Sequence, residues 1–227
     1  VAKQVLCDVY GVNVSDYDSL DDAYEAITGY NLAKARELMT SAYNAALEAG
    51  DILATDKVEL VFGTGSITEP TQRVFDYLSN AIKNIAVGTP LEGRVEMKLE
   101  DHGTKWANDF KSGGYDICIG GYTGAAWDPG YFLLAYLSPD YMYSKAWDSS
   151  SQMLTYTPSA EIGEKTMSLM DWYNCLNGDP SAEYNWSEGF VDNSVRLGII
   201  AALEREILSV YYTVPLQNSF GATLVSY

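Results

Sequence analysis

One histidine and three cysteines in 227 residues leave little material for metal sites, disulfide scaffolds or nucleophile–base catalysis. Cys7, Cys118 and Cys175 are odd in number and widely spaced, so neither a disulfide framework nor a zinc site is expected. Cys118 reads as a small buried apolar residue. His102 has no second histidine to share a metal with and no G-x-S-x-G elbow to serve, and is expected at the surface beside Glu100 and Asp101. Cations are scarce too: 14 Lys and Arg against 31 Asp and Glu give a formal net charge of −17. Such a field repels phosphate backbones and anionic headgroups, so no nucleic-acid partner is expected. Six carboxylates and no Lys or Arg lie between Asp8 and Glu25, read as a solvated face. Among them Asp16, Asp18, Asp21 and Asp22 do not make an EF-hand, because Leu20 stands at the third ligand position and no glycine follows. No apolar run reaches membrane-spanning length, and Val1 is not followed by a basic and then apolar leader, so an export signal would lie outside these residues.

Tyrosine is abundant, at 18 residues. Its apolar ring and polar tip suit surfaces that meet sugars, peptides or other proteins. The remaining composition, 47% hydrophobic and 20% charged, is that of a globular chain able to bury a core.

Periodicity predicts an α/β order. Ser19-Leu20-Asp21-Asp22 has the form of a capping box opening a short helix that Gly29 stops. Leu32, Ala35, Leu38, Met39, Ala42 and Ala46 recur at helical spacing over Asn31 to Glu48, and Gly50-Asp51 ends the run. Val58, Leu60 and Phe62 alternate as a strand, and Val74, Phe75, Leu78, Ile82 and Ile85 form one stripe of a helix from Pro70 to Ile85. Val95, Met97 and Leu99 make a second strand with Arg94, Glu96 and Lys98 outward. A short helix from Thr104 to Lys111 turns Trp106 and Phe110 inward, and Tyr115 to Ile119 is a third strand. Right-handed crossovers would make these strands parallel, with the loops after Phe62 and Ile119 opening on one side, the predicted ligand face. Beyond Pro139 the pattern suggests loop-rich covering structure, with one helix from Pro158 to Tyr173 behind a Thr157 cap. A final helix carries Val195, Ile199, Ile200, Leu203, Ile207 and Leu208, with Pro215 past its end.

The third strand runs into a glycine-rich aromatic loop. Gly120-Gly121 precede Tyr122, Trp127, Asp128-Pro129 and Tyr131, a composition suited to a ligand pocket or, alternatively, to a Pro-capped turn whose rings fill a local core. Gly63-Thr64-Gly65-Ser66 sits between a strand and a helix, as phosphate cradles do. It lacks the third glycine of the dinucleotide pattern and the lysine of the P-loop, and is read as a plain connection. Paired carboxylates for glycoside hydrolysis are conceivable in an acidic, Tyr- and Trp-rich chain, but no pair is singled out, and Glu204 and Glu206 are expected on the solvent side of a helix.

These residues have a family likeness. Tyr30 to Met39, YNLAKARELM, resembles the Y-D-P-x-K-A-K-x-L-L helix start of the extracellular solute-binding proteins of family 5, the oligopeptide-, dipeptide- and nickel-binding components of ABC importers. Phe110 to Ile117 with Gly120-Gly121-Tyr122 and Asp128-Pro129 is similar to that family's G-x-Y-D, G-W and D-P segment, and the Val214-Pro215-Leu216 step to the place where its second lobe ends. The likeness covers about residues 30 to 216 of a family about twice this length. It implies a periplasmic-binding-protein-like (type II) lobe with a mixed sheet and a β-α-β-α-β core flanked by helices. Residues 1–227 would then be one α/β lobe, the C-terminal one, excised from a longer chain, with its core in 30–137 and 195–216. It further implies a non-enzymatic protein without a cofactor, extracellular or periplasmic and held to the membrane surface by an N-terminal lipid anchor. Its partners would be the N-terminal lobe and the permease subunits.

The site implied by the likeness is Tyr122, Thr123, Ala125, Trp127 and Asp128. Tyr122 stands where the family has Trp, keeping a ring as a pocket wall. Ala125 stands where peptide-binding members hold the ligand's α-amino group with an aspartate. An extended solute, a peptide foremost, is therefore expected in preference to a free-N-terminus dipeptide, captured by hinge closure. One lobe alone is expected to bind at best millimolar ligand, about 4 kcal/mol. The competing expectations are a secreted carbohydrate-binding or carbohydrate-active protein, and an interaction domain using the tyrosine-rich second half.

Overall fold

A computed structural model describes residues 2–27, 29–121, 128–141 and 147–210 of the chain. In chain order the helices and strands are α1 (Ala2–Val9), α2 (Leu20–Glu25), α3 (Leu32–Ala49), β1 (Val58–Thr64), α4 (Glu69–Ala86), β2 (Val95–Asp101), α5 (Trp106–Lys111), α6 (Leu134–Leu137), β3 (Met153–Tyr156), β4 (Lys165–Ser168), α7 (Leu169–Asn177) and α8 (Asn193–Ser209). The chain is mixed α/β with small sheets and divides into two units, an inserted one of residues 29–149 and a split one of residues 2–27 with 150–210.

In the inserted unit α3 starts where the Asn31 side chain accepts the Lys34 N–H at 2.9 Å, and stops at Gly50, whose φ of 77° lets the chain turn back. Thr68 caps α4 in the same way, with Pro70 in its first turn. β1 and β2 pair in parallel from Val58↔Val95 to Thr64↔Asp101. Their inward side chains meet the helices: Tyr43, Ala86, Leu91 and Val95 are buried, with Met39, Leu47, Val58, Leu60 and Ile82 packed on them. Glu96 and Lys98 do face outward, but Arg94 does not. Its guanidinium lies 5.3 Å from the Tyr43 ring centroid, donates to Tyr43 Oη at 3.2 Å and to the Asp56 carbonyl at 3.2 Å, and also reaches the Ala54 and Pro90 carbonyls. A cation there ties the start of β2 to the loop before β1.

The expected third strand, Tyr115 to Ile119, shrinks to one residue. Ile117 bridges Phe62 in parallel, its N–H donating to the Val61 carbonyl at 3.0 Å and its carbonyl accepting the Gly63 N–H at 2.9 Å. The cause is Asp116: its carboxylate takes the Val61 N–H at 2.7 Å, so a side chain occupies the donor that an extended ladder would have used. Gly120 and Gly121 then follow as irregular chain.

The split unit replaces the covering loops expected there. β3 and β4 form an antiparallel hairpin, Met153↔Ser168 to Tyr156↔Lys165, across which the Thr155 and Thr166 hydroxyls bond at 2.7 Å. The helix expected from Pro158 to Tyr173 begins only at Leu169. Thr157-Pro158 imitates a helix start, yet the effective cap is Ser168, whose Oγ accepts the Asp171 N–H at 3.0 Å while donating to Asp171 Oδ2 at 2.7 Å. The intervening residues turn through Gly163 at φ 73°. Trp172 is fully buried, its Nε1 donating to the Leu154 carbonyl at 3.0 Å. Trp186 lies 5.1 Å from it, Tyr184 stacks on Trp186 at 5.0 Å, and Tyr156 meets Trp172 edge-on at 6.1 Å. α8 buries Ile199, Ile200, Leu203, Ile207 and Leu208, as its stripe predicts, and α1 packs against it with Asp8 paired to Arg205 at 2.8 Å. Glu204 departs from the expected solvent face: it is half-buried, and burial pushes its carboxyl above the ordinary range.

Candidate functional site

The parallel pair β1–β2 puts its carboxyl end beside the start of α4 and the turn into α5, and a pocket of about 310 Å³ lies there. Phe62, Thr64, Gly65, Thr71, Trp106 and Ile119 line it. The side on which the loops after Phe62 and Ile119 were expected to open is therefore the side that carries a cavity, while the lining differs from the residues singled out. Of those, Tyr122, Thr123, Ala125 and Trp127 lie outside the described residues. Asp128 is half-buried and accepts the Gly130 N–H at 2.9 Å through Oδ1. It caps a 3-10 turn, Pro129–Leu133, in the manner its Asp-Pro setting suggests.

Beside the pocket two glycines let aromatic rings approach the backbone. A Cβ on Gly63 would stand 2.5 Å from the Tyr115 ring, and one on Gly65 would stand 2.7 Å from Trp106 Cδ1 and 3.2 Å from the Gly103 carbonyl oxygen. Gly63-Thr64-Gly65-Ser66 is thus a ring-packing connection. It offers little to a phosphate: Pro70 has no N–H, the Thr71 N–H is directed at Thr68 Oγ1 at 3.4 Å, and the Gln72 N–H bonds the Thr68 carbonyl at 2.9 Å. Phe62 is buried and meets Phe75 edge-on at 6.4 Å, forming the floor, whereas Ile119 is 47% exposed and forms part of the mouth.

His102, just past the end of β2, is wedged in rather than set on the surface. Its Nδ1 is 2.8 Å from Asp109 Oδ2, its ring centroid is 4.6 Å from that of Tyr115, and only 14% of its side chain is exposed. A carboxylate only accepts, so Nδ1 carries the proton toward Asp109. Nε2 is buried, 3.5 Å from Glu100 Oε2 and without a hydrogen-bond partner. Such an imidazole braces α5 against β2; its second nitrogen is shut away from solvent. Glu100 in turn pairs with Lys98 at 2.6 Å, and that hydrogen bond holds its carboxyl below the ordinary carboxylate range. Tyr115 completes the brace by donating from Oη to the Trp106 carbonyl at 2.8 Å. Burial pushes its phenol pKa upward, and it pushes up the thiol of half-buried Cys118 as well.

The sequence pattern places Phe62 in a strand and turns Trp106 inward, and carries no signal for Thr71. The readable signal was the strand–glycine–helix join at Gly63 to Thr68, whose glycines mark a close approach of rings. No protein-family model, curated protein sequence or solved structure matches this chain.

Proposed function

We propose that this chain is a binding lobe of the kind found in family 5 extracellular solute-binding proteins, periplasmic-binding-protein-like (type II), and that it captures an extended solute, a peptide, for an ABC importer. The observation that carries the reading is the pocket at the carboxyl end of the parallel strands, walled by an aromatic ring and floored by apolar side chains. Open α/β sheets present ligands there because loops diverge from the strand ends and leave a crevice. The reading asks of the pocket only shape and hydrogen bonding, and assigns the chemistry of transport to a permease. In it the lobe works with an N-terminal lobe by hinge closure, on an exported protein held to the membrane surface by a lipid anchor.

The test is calorimetry and thermal shift of the chain against peptide pools and oligosaccharides, with Trp106→Ala and Tyr122→Ala alongside. Millimolar peptide binding, about 4 kcal/mol, abolished by both substitutions, is the expected result. Binding of oligosaccharides alone would replace the cargo and favour the carbohydrate reading. Silence toward both pools would overturn solute capture.

A further inference from the structure

The pocket carries a selectivity that can be read from where its protons go. Thr64 Oγ1 donates to the Ser66 carbonyl at 3.2 Å and faces the Ser66 N–H at 3.4 Å. Thr71 Oγ1 lies 2.9 Å from Thr68 Oγ1 and 3.4 Å from the same Ser66 carbonyl. Each hydroxyl has one proton and two lone pairs, and each has a protein carbonyl within 3.4 Å able to take that proton. What the two threonines have left to offer the cavity is lone pairs. The other described lining groups are rings, a branched aliphatic chain and a glycine, and among the described residues no lining side chain is ionisable near neutral pH.

An anion entering this cavity meets threonine lone pairs, an apolar floor and the field of a chain of net charge −17, with the Trp106 indole N–H the side-chain donor among the described lining residues. An ammonium or guanidinium loses its hydration against Phe62, Trp106 and Ile119 with no carboxylate among the described lining residues to replace it. A neutral ring bearing one polar hydrogen loses least: it packs on Trp106 and gives that hydrogen to a threonine oxygen. About 310 Å³ is at the low end of ligand pockets, roughly 300–1,000 Å³, and holds one side-chain-sized group. We propose that the cavity formed by Phe62, Thr64, Gly65, Thr71, Trp106 and Ile119 is a side-chain subsite selecting a phenol or indole group of a bound peptide over charged side chains. The assignment rests on the peptide-capture reading above.

The experiment is a competition series of short alanine peptides carrying a single Tyr, Trp, Phe, Leu, Lys or Glu at successive positions, measured by calorimetry on the full chain and on Thr71→Asp and Trp106→Phe. At one position Tyr and Trp are expected to bind about tenfold tighter than Lys or Glu, with Phe and Leu between. Thr71→Asp places a carboxylate in the first turn of α4, where the helix dipole tolerates it, and is expected to turn the preference toward Lys. Trp106→Phe retains a ring and is expected to keep the order of preference at reduced affinity. Peptides that bind with no positional preference, or a charge preference that Thr71→Asp leaves unmoved, overturn the subsite while solute capture stands. Absence of binding by every peptide overturns both.

Discussion

The two units use the same aromatic residue types to opposite ends. In the split unit Trp172, Trp186, Tyr184 and Tyr156 close on one another, ring against ring, with Trp172 fully buried and Trp186 4% exposed. In the inserted unit Trp106 is half-buried and lines an open cavity, with its ring edge against the backbone at Gly65. What separates a ring in a core from a ring in a site is the partner opposite it. A second ring covers the facing side of each, while Trp106, set against the backbone at Gly65, stays half-exposed.

The strongest way to break this comparison is to remove the ring that anchors the closed cluster. Trp172→Ala deletes a fully buried side chain with its hydrogen bond to Leu154, and is expected to cost about 3–5 kcal/mol in urea denaturation. A loss below about 1 kcal/mol would mean that the cluster tolerates the vacancy and that its rings are not a core. Gly63→Ala probes the other unit. Its Cβ would collide with the Tyr115 ring, and the expected cost is about 1–3 kcal/mol from overpacking. Equal stability of this variant and the parent would show that Tyr115 moves freely and does not set the pocket's geometry.

Much of this arrangement was legible because local signals agreed with tertiary contacts. α3, β1, α4 and β2 follow from apolar spacing bounded by Asn31, Gly50, Thr68 and Pro70, residues that act on their own neighbours. Ser19 caps as its position predicts, and Asn31, expected inside the helical run, is the cap of α3. The misreadings arise where a side chain takes over a backbone role. Asp116 occupies the Val61 N–H, so a segment with strand composition yields a single bridge. Thr157-Pro158 carries a helix-start signal that loses to hairpin pairing and to the Ser168–Asp171 cap ten residues on. His102 looked superficial because its neighbours in sequence are acidic and polar; the Asp109 and Tyr115 contacts that enclose it come from farther along the chain. The side of the sheet that carries the cavity could be read from strand order alone. Its lining could not, since the approach of Trp106 to the backbone at Gly65 is a contact between residues far apart in sequence.

Tyr115 sharpens the comparison most finely, because it is the buried ring of the inserted unit that supports the open one. It is 5% exposed, packs 5.3 Å from Phe110 and holds the Trp106 carbonyl. Burial first, then Cys118 and Asp109 nearby, raises its phenol pKa, so the folded chain keeps the proton where an unfolded chain releases it near pH 10, roughly the value of free tyrosine. A raised folded value gives stability that is complete below the unfolded pKa and is lost as pH climbs from there toward the folded one. Tyr115→Phe removes both the hydrogen bond and the titration. At neutral pH it is expected to cost about 0.5–1.5 kcal/mol, and above pH ~10 the gap to the parent is expected to narrow, since only the parent loses this proton-linked stability. Urea midpoints measured from pH 7 to about 11 check this. Curves that stay parallel would mean that the phenol titrates as freely in the fold as out of it, and that Tyr115 carries no buried load beneath the pocket.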